Sequence, residues 1–307
     1  MDRVRIGTRG SALALAQASQ VASLLRSRGI DSDPEQVVIR TSGDRIQDRS
    51  LAEIGGKGLF IKEIEEAMLE GAIDLAVHSM KDLPGRLATG LAISAVLPRE
   101  RPRDALITRG DATAISDLPD GAVVGTSSLR RRSQCLSIRP DLRIIPLRGN
   151  VDTRLRKLDE GGYDLLVLAT AGLIRLELAN RITVRLPVEL CMPAPGQGIV
   201  AIESRVGDED TAGVLAGAGD AAALVVLTAE RAYLTTLGGG CQVPVGGLAT
   251  IDGDALAFRG VVAEPDGARL LRRRARGALD DPAALGDRVA RELLADGADE
   301  ILTAFGV

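Results

Sequence analysis

The segment Asp74 to Pro84, D-L-A-V-H-S-M-K-D-L-P, joins a short apolar run to a cluster of ionisable side chains. The run Leu75 to Val77 is typical of a parallel strand that is buried on both faces. His78, Lys81 and Asp82 follow directly. Open α/β sheets bind their ligands at the carboxyl ends of the strands. The segment therefore predicts an α/β fold with a site at this point, and Asp82 is the first candidate for chemistry.

The composition is that of a globular protein and excludes several classes of function. The chain has 307 residues, 45% of them hydrophobic and 26% charged, with a net charge of -4. That length allows two or three domains. Only 2% of the residues are aromatic and none is Trp, so the base-stacking surfaces of single-stranded nucleic-acid binders are missing. We therefore expect no nucleic-acid partner.

Targeting and metal-binding signals are also missing. No apolar run reaches the roughly 18 residues needed to span a bilayer, and the first ten residues have no apolar signal core. We expect a cytoplasmic protein without a membrane partner. One His and three widely spaced Cys residues predict neither a metal site nor a disulfide framework.

Two proline-containing breaks divide an alternation of strands and helices, which indicates two α/β lobes facing a cleft. After the second break, turns at Asp252-Gly253 and Pro265-Asp266-Gly267 predict a three-stranded antiparallel meander in a small α+β domain. Arg272 to Arg274 are expected on a solvated edge of it. The predicted division is domain 1 at 1–97 plus 198–217, domain 2 at 103–191, domain 3 at 220–307, and hinges at 98–102 and 192–197.

Arginines recur after small-residue turns in the middle of the chain. Ser127 and Ser128 precede a predicted helix, 129–138, that carries Arg130, Arg131 and Arg132. Hydroxyls and amides at a helix start, with guanidinium groups close by, suit carboxylate or phosphate binding. The alternative is a solvated basic face, but the pattern recurs twice and favours an anion site. Successive residues point in different directions around a helix, so the three arginines cannot all serve one site.

Two further segments are candidates for function. Residues 41–58 form a long polar stretch that we interpret as a flap, with Lys57 near its end. Cys241 follows three glycines, and its position alone leaves open an accessible thiol or a small buried side chain. Cys135 and Cys191 are expected to be structural.

Seven motifs, taken in order over nearly the whole chain, resemble the porphobilinogen deaminase family. They are T-R-G-S at 8–11, G-G-K-G-L-F at 55–60, H-S-M-K-D at 78–82, G-T-S-S-L-R-R at 125–131, L-R-G-N at 147–150, P-G-Q-G at 195–198 and G-G-C-Q-V-P at 239–244.

The resemblance implies two lobes like type II periplasmic binding proteins around a cleft, and a small third domain. That domain carries a dipyrromethane cofactor bound to Cys241 through a thioether, and Asp82 is the catalytic aspartate. The cofactor-binding positions implied are Lys81, Ser127, Ser128, Arg130, Arg131 and Arg154. The substrate-binding positions are Arg9, Ser11, Arg148 and Arg175, and the flap positions are Lys57 and Phe60.

The reaction implied is the head-to-tail condensation of four porphobilinogen molecules with release of ammonia, followed by hydrolysis to linear hydroxymethylbilane. The family's usual form is monomeric. The competing interpretation is a non-enzymatic two-lobed protein that binds anionic solutes or senses an effector. Such a protein would need neither Asp82 nor an accessible Cys241, and its intact mass would be that of the bare polypeptide.

Overall fold

The computed structural model describes residues 3–28, 34–45, 61–110, 112–239 and 243–305. The predicted flap residues Lys57 and Phe60 and the predicted attachment residue Cys241 lie outside these ranges. Within the ranges, no helix combines the length and the apolar character needed to cross a membrane.

The strands of the described residues alternate with helices through most of the chain. They are β1 (Arg5–Thr8), β2 (Glu35–Val38), β3 (Leu75–Ser79), β4 (Leu91–Val96), β5 (Asp104–Thr108), β6 (Val123–Gly125), β7 (Arg143–Ile145), β8 (Leu165–Ala169), β9 (Val184–Arg185), β10 (Val200–Arg205), β11 (Val245–Asp252), β12 (Ala255–Ala263) and β13 (Leu270–Ala278).

The α-helices are α1 (Ala12–Ser27), α2 (Ser42–Arg45), α3 (Lys62–Leu69), α4 (Leu129–Ile138), α5 (Val151–Asp159), α6 (Thr170–Arg175), α7 (Glu209–Leu215), α8 (Ala221–Thr236), α9 (Pro282–Leu293) and α10 (Asp299–Thr303). Short 3-10 turns cover Met80–Asp82, Ile115–Asp117 and Ala179–Arg181.

The chain forms two compact units, Met1–Glu100 with Gly198–Leu224, and Arg101–Gln197 with Val225–Val307. The second unit contains both the second α/β sheet and the C-terminal sheet. The finer division into three domains with the boundaries given above stays a prediction.

The sheet of the first unit has the order β2-β1-β3-β10-β4. β1 runs parallel to β2 and β3, whereas β10 runs antiparallel to β3 and β4. Leu75 and Val77 of β3 are buried in one cluster with Leu25 of α1 and Ile202 of β10. The apolar run therefore forms the central buried strand that its composition predicts, and its carboxyl end carries the ionisable residues.

The second α/β sheet repeats this topology without a detectable repeat in the sequence. Its order is β7-β6-β8-β5-β9, with β6 parallel to β7 and β8 and with β5 antiparallel to β8 and β9. Leu106, Val124, Leu165 and Val167 form its core against Cys135 of α4. In both sheets the three parallel strands end on one side, which collects their following loops at one edge.

The C-terminal meander is an antiparallel sheet of order β11-β12-β13, packed on α9. Arg272, Arg273 and Arg274 are exposed on the edge strand β13, as predicted. Glu230 of α8 is fully buried, and its two carboxylate oxygens accept from the backbone N–H groups of Gly196 at 2.6 Å and Ala249 at 2.8 Å. These bonds connect α8 to the meander and to the second proline-containing break. The α/β fold class with a small antiparallel C-terminal sheet is confirmed.

The ends of α1, α5 and α9 are formed in different ways. Ser11 caps α1, and its Oγ accepts from the N–H of Ala14 at 3.3 Å. Asn150 holds the equivalent N-cap position before α5, but its side chain makes no capping hydrogen bond. α9 ends at Leu293, and the chain kinks at Gly297, whose φ is 96°, before α10 begins.

Candidate active site

The Asp82 carboxylate lies at the end of β3, on a 3-10 turn that is fastened on both sides. Met80 donates its backbone N–H to Ile199 O at 3.0 Å, and Leu83 donates to Met80 O at 3.1 Å. The side chains of Met80 and Leu83 are buried, whereas Asp82 is exposed. The two apolar anchors therefore hold a charged side chain at the surface where the parallel strands end.

A buried contact between His78 and Glu203 joins β3 to β10 next to this turn. His78 Nε2 of β3 lies 3.0 Å from Glu203 Oε2 of β10. His78 Nε2 and both Glu203 oxygens make no hydrogen bond among the described residues, and the contact is an ion pair only when His78 is protonated. Burial raises the pKa of nearby Glu65, and the Glu203 charge adds to that rise. The sequence analysis did not select Glu203, although an acid inside the apolar run 199–203 is a usable signal.

Ser79 makes a second link between the end of β3 and its surroundings. Gln17 Nε2 of α1 donates to Ser79 Oγ at 2.9 Å, and Gln17 is buried. Sequence reasoning gave no role to Gln17, because a polar residue on an amphipathic helix is ordinarily solvated. Its burial against β3 is a consequence of packing.

The other predicted residues of the first unit lie at the same edge of the sheet. Arg9 and Ser11 follow β1, and Lys81 and Asp82 follow β3. β1 and β3 are neighbouring parallel strands with Gly7 opposite Ala76, so both loops leave at the same level. Arg9, Ser11 and Lys81 are half-buried. The first unit thus brings together three predicted anion-binding positions and the candidate catalytic carboxylate.

The predicted residues of the second unit occupy the corresponding loops. Ser127 and Ser128 follow β6, Arg148 follows β7, and Arg175 lies in α6 after β8. Ser127 Oγ donates to Leu147 O at 2.9 Å and accepts from Leu147 N at 3.0 Å, which ties the β6 loop to the β7 loop.

Two further contacts fix the arginine loops of this unit. Ser128 Oγ caps α4 by accepting from the N–H of Arg131 at 3.4 Å. Arg154 Nε donates to Gly149 O at 2.7 Å, which holds its side chain over the loop that contains Arg148.

Arg130 and Arg131 share the carboxylate of Asp104, a residue that sequence reasoning did not select. Arg130 Nη1 lies 2.7 Å from Oδ2, and Arg131 Nη2 and Nε lie 2.7 and 3.1 Å from Oδ1. The exposed fractions are 0% for Asp104, 4% for Arg130 and 6% for Arg131. Burial alone would raise the pKa of Asp104, but the charges and hydrogen bonds of the two arginines hold it well below its usual value.

This cluster carries more positive than negative charge. Two guanidinium groups face one carboxylate, and Nε and Nη2 of Arg130 and Nη1 of Arg131 have no hydrogen-bond partner among the described residues. A buried excess charge is costly unless an anion approaches it. A ligand with carboxylate side chains, such as a dipyrromethane, fits this arrangement. Arg132, the third arginine of the run, is exposed.

The cysteines of the described ranges are structural. Burial raises the pKa of the Cys135 thiol to about 12, and it also raises the pKa of Cys191. Cys191 Sγ donates to Asp104 Oδ2 at 3.3 Å. A thiol nucleophile has to ionise, so neither side chain is suited to covalent attachment. In the same ranges, no group of His, Cys, Asp and Glu side chains is arranged to hold a metal ion.

Comparison with known proteins gives matches over nearly the whole chain. A family model described as "Porphobilinogen deaminase, dipyromethane cofactor binding domain" matches residues 4–213, and one described as "Porphobilinogen deaminase, C-terminal domain" matches residues 224–295. A curated relative from Bordetella parapertussis, named porphobilinogen deaminase, is 52% identical over 98% of this chain and 96% of its own length.

Other relatives and a solved structure extend the comparison. Relatives with the same name from Desulforudis audaxviator and Brevibacillus brevis are 52% and 47% identical, over 97% and 98% of this chain and 96% and 97% of their own lengths. The crystal structure of the BvgS VFT2 domain from Bordetella pertussis is 16% identical, with a TM-score of 0.44 over 71% of this chain and 86% of that one. That likeness is too weak to support an argument.

Proposed function

The chain belongs to the porphobilinogen deaminase family, and from this premise we propose how its residues carry out the reaction. The enzyme is a transferase that joins four porphobilinogen molecules head to tail, releases ammonia at each step and frees linear hydroxymethylbilane by hydrolysis. The proposal is supported by relatives named porphobilinogen deaminase that are 52% identical to this chain over nearly its whole length. We further propose that it acts as a monomer in the cytoplasm.

The cofactor-binding residues proposed are those that the family motifs indicate. When bound, dipyrromethane supplies the pyrrole carbon to which the first substrate unit is joined. We assign its attachment to Cys241, and the burial and raised pKa of Cys135 and Cys191 support that choice. The residues assigned to its carboxylates are Lys81, Ser127, Ser128, Arg130, Arg131 and Arg154. The excess positive charge around Asp104 supports this role for Arg130 and Arg131.

Asp82 is the proposed catalytic residue. Loss of ammonia from porphobilinogen leaves positive charge on the pyrrole, and a fixed carboxylate nearby stabilises that charge. The same carboxylate can pass a proton to the leaving amine and later accept one from the pyrrole carbon that attacks. Both tasks require a carboxylate that is accessible and held in place, and the anchored turn Met80–Asp82 supports this assignment.

The remaining assignments concern substrate carboxylates. Each porphobilinogen carries an acetate and a propionate, and guanidinium groups bind carboxylates through paired hydrogen bonds. We assign this role to Arg9, Ser11, Arg148 and Arg175, which lie after parallel strands in the two α/β sheets. Lys57 and Phe60, which lie outside the described residues, are proposed as flap positions.

The proposal is tested by intact-mass measurement and by turnover after incubation with porphobilinogen. The wild-type protein is expected to carry a covalent dipyrrole and to release ammonia. Cys241→Ser should have the mass of the bare polypeptide, whereas the control Cys135→Ala should keep the adduct.

Retention of the adduct by Cys241→Ser would overturn the attachment site. A bare wild-type polypeptide that releases no ammonia would favour the non-enzymatic anion-binding function.

A further inference from the structure

Asp104 contacts more than the two arginines. Gln197 Nε2 donates to Asp104 Oδ1 at 3.0 Å and to Pro102 O at 2.6 Å, and Cys191 Sγ donates to Oδ2. Residues 101–104 and 191–197 adjoin two of the places where the chain passes between the units. The buried carboxylate of Asp104, in segment 101–104, therefore bonds to the arginines of α4 and, through Gln197 and Cys191, to segment 191–197.

The second connecting segment is also bonded to α4 directly. Met192 O accepts from Arg130 Nη1 at 2.6 Å and from Gln134 Nε2 at 3.2 Å. Met192 N donates to Gln134 Oε1 at 2.7 Å. Both backbone polar groups of Met192 thus bond to side chains of α4, and a movement of the Arg130 guanidinium would break one of these hydrogen bonds.

The unbalanced positive charge of Arg130 and Arg131 makes the positions of their side chains sensitive to a bound anion. The two guanidinium groups are nearly buried, and Asp104 is their only carboxylate partner among the described residues. A carboxylate bound to their remaining N–H groups would balance the excess charge. It would also hold both side chains in the orientation that Asp104 already imposes.

We propose that Asp104 is a positioning residue that couples carboxylate binding at Arg130 and Arg131 to the order of the connecting segments 101–104 and 191–197. The proposal rests on the proposed function, since the carboxylates in question belong to the cofactor. Coupling of this kind is reciprocal: a ligand that orders the segments binds better when the segments are ordered. Asp104 therefore prepares the site before the cofactor arrives and stabilises the connecting segments once it is bound.

Hydrogen exchange followed by mass spectrometry tests the coupling on the full chain with and without its cofactor. Backbone amides of 101–104 and 191–197 are expected to exchange at least about fivefold more slowly in wild-type protein that carries the cofactor than in wild-type protein without it. Asp104→Asn removes the charge with little change in shape. Only a minor fraction of this variant should acquire the cofactor, and the difference in exchange rate between loaded and unloaded protein should disappear. Asp104→Glu keeps the charge and should load more fully than Asp104→Asn.

A second variant avoids dependence on how well Asp104→Asn folds. Gln197→Ala leaves the arginines and their carboxylate in place but removes the bonds to Pro102 and Asp104. It should still load cofactor, and more fully than Asp104→Asn, but less readily than the wild type because the coupling is reciprocal, while segment 101–104 loses its ligand-dependent protection. Asp159→Asn, which breaks the exposed ion pair with Arg181, is the matched control and should change neither readout.

The outcomes separate the two proposals. Equal exchange in the loaded and unloaded wild type, or full loading of Asp104→Asn with unchanged protection, overturns the role of Asp104. A wild-type protein that never acquires the adduct overturns the proposed function instead. In that case the same exchange comparison with and without saturating succinate, a dicarboxylate, decides the role of Asp104: slower exchange with succinate supports it, and no difference rejects it.

Discussion

His78 and Glu203 face each other across neighbouring antiparallel strands, with His78 Nε2 3.0 Å from Glu203 Oε2 and side-chain exposures of 4% and 0%. His78 lies four residues before Asp82 in the chain. The pair joins β3, which delivers the candidate catalytic turn, to β10, whose preceding residue Ile199 accepts a hydrogen bond from Met80. The turn that presents Asp82 is therefore stabilised by an interaction that is closed to solvent.

Replacing His78 by Ala should destabilise the protein by about 1–3 kcal/mol, because the buried polar side chain of Glu203 would lose the group that it contacts. Urea unfolding followed by circular dichroism measures the effect. The matched control is Arg156→Ala, which removes an exposed pair with Glu160 and should cost about 0–1 kcal/mol. Equal losses in the two variants would show that the buried pair contributes no more than a surface one.

Asp82→Asn should lower turnover of porphobilinogen by about 10²–10³-fold, the range found when one group that stabilises transition-state charge is removed. Thermal stability should hardly change, since Asp82 is exposed and its turn is held by Met80 and Leu83. Steady-state kinetics and a melting curve check the two parts. Asp210→Asn, an exposed acid of the same unit, should retain full turnover. Turnover near the wild-type level in Asp82→Asn would remove Asp82 from the mechanism.

Gly267→Ala should destabilise the second unit by roughly 2–4 kcal/mol, from overpacking and from left-handed backbone strain. Gly267 has φ 76°, and a Cβ there would lie 2.5 Å from Ser133 O and Ser137 N, two backbone atoms of α4. The control is Gly253→Ala in the other hairpin turn, where φ is 66° but no atom lies within 4 Å. That variant should lose only about 1–2 kcal/mol, from backbone strain alone. Similar losses at both positions would mean that the turn does not pack against α4 as described.

Acid should destabilise the protein partly through Asp104. Its pKa is lower in the folded protein than in the unfolded chain, so the unfolded chain binds the proton first as the pH falls. Its contribution is complete above the unfolded value of about 3.9 and is lost as the pH drops from there towards the folded pKa. Other carboxylates with lowered pKa values act in the same direction, for example Asp74 and Asp208.

The contribution of Asp104 to the pH dependence of stability is measured by comparing the wild type with Asp104→Asn. In chemical unfolding measured between pH 3 and 6, the wild type should be more stable at pH 6, and the gap should narrow as the pH falls below about 4. A gap that stays constant over this range would show that the carboxylate does not titrate as described.

Local sequence patterns predicted the elements that deliver the site. The apolar runs before Asp82, Ser127 and Arg175 form β3, β6 and β8, and the small-residue turns after them mark where those strands end. Ser11 precedes the apolar helix α1 and caps it, as is common for serine at a helix start. Patterns of this range depend on neighbouring residues, and a single sequence contains that information directly.

The same patterns failed where an interaction joins distant parts of the chain. Glu203 lies in an apolar run and pairs with His78 from a neighbouring strand, and Asp104 opens β5 and receives side chains from α4 and from the segment 191–197. Hydrophobic periodicity indicates which residues are buried, but it does not identify the charged group that each one meets. Residue type is not sufficient at a helix start either, because Asn150 holds the N-cap position of α5 and its side chain makes no capping hydrogen bond.

By itself the sequence determined the α/β class, the C-terminal meander, the family and the identity of the residues that can bind carboxylates, because motifs and periodicity are properties of short stretches. Only the tertiary structure decided that Arg130 and Arg131 share Asp104 and that His78 meets Glu203. Those contacts depend on strand order: β10 returns between β3 and β4, and β5 inserts between β8 and β9. Strand order is set by packing of the whole sheet, which no local stretch of sequence specifies.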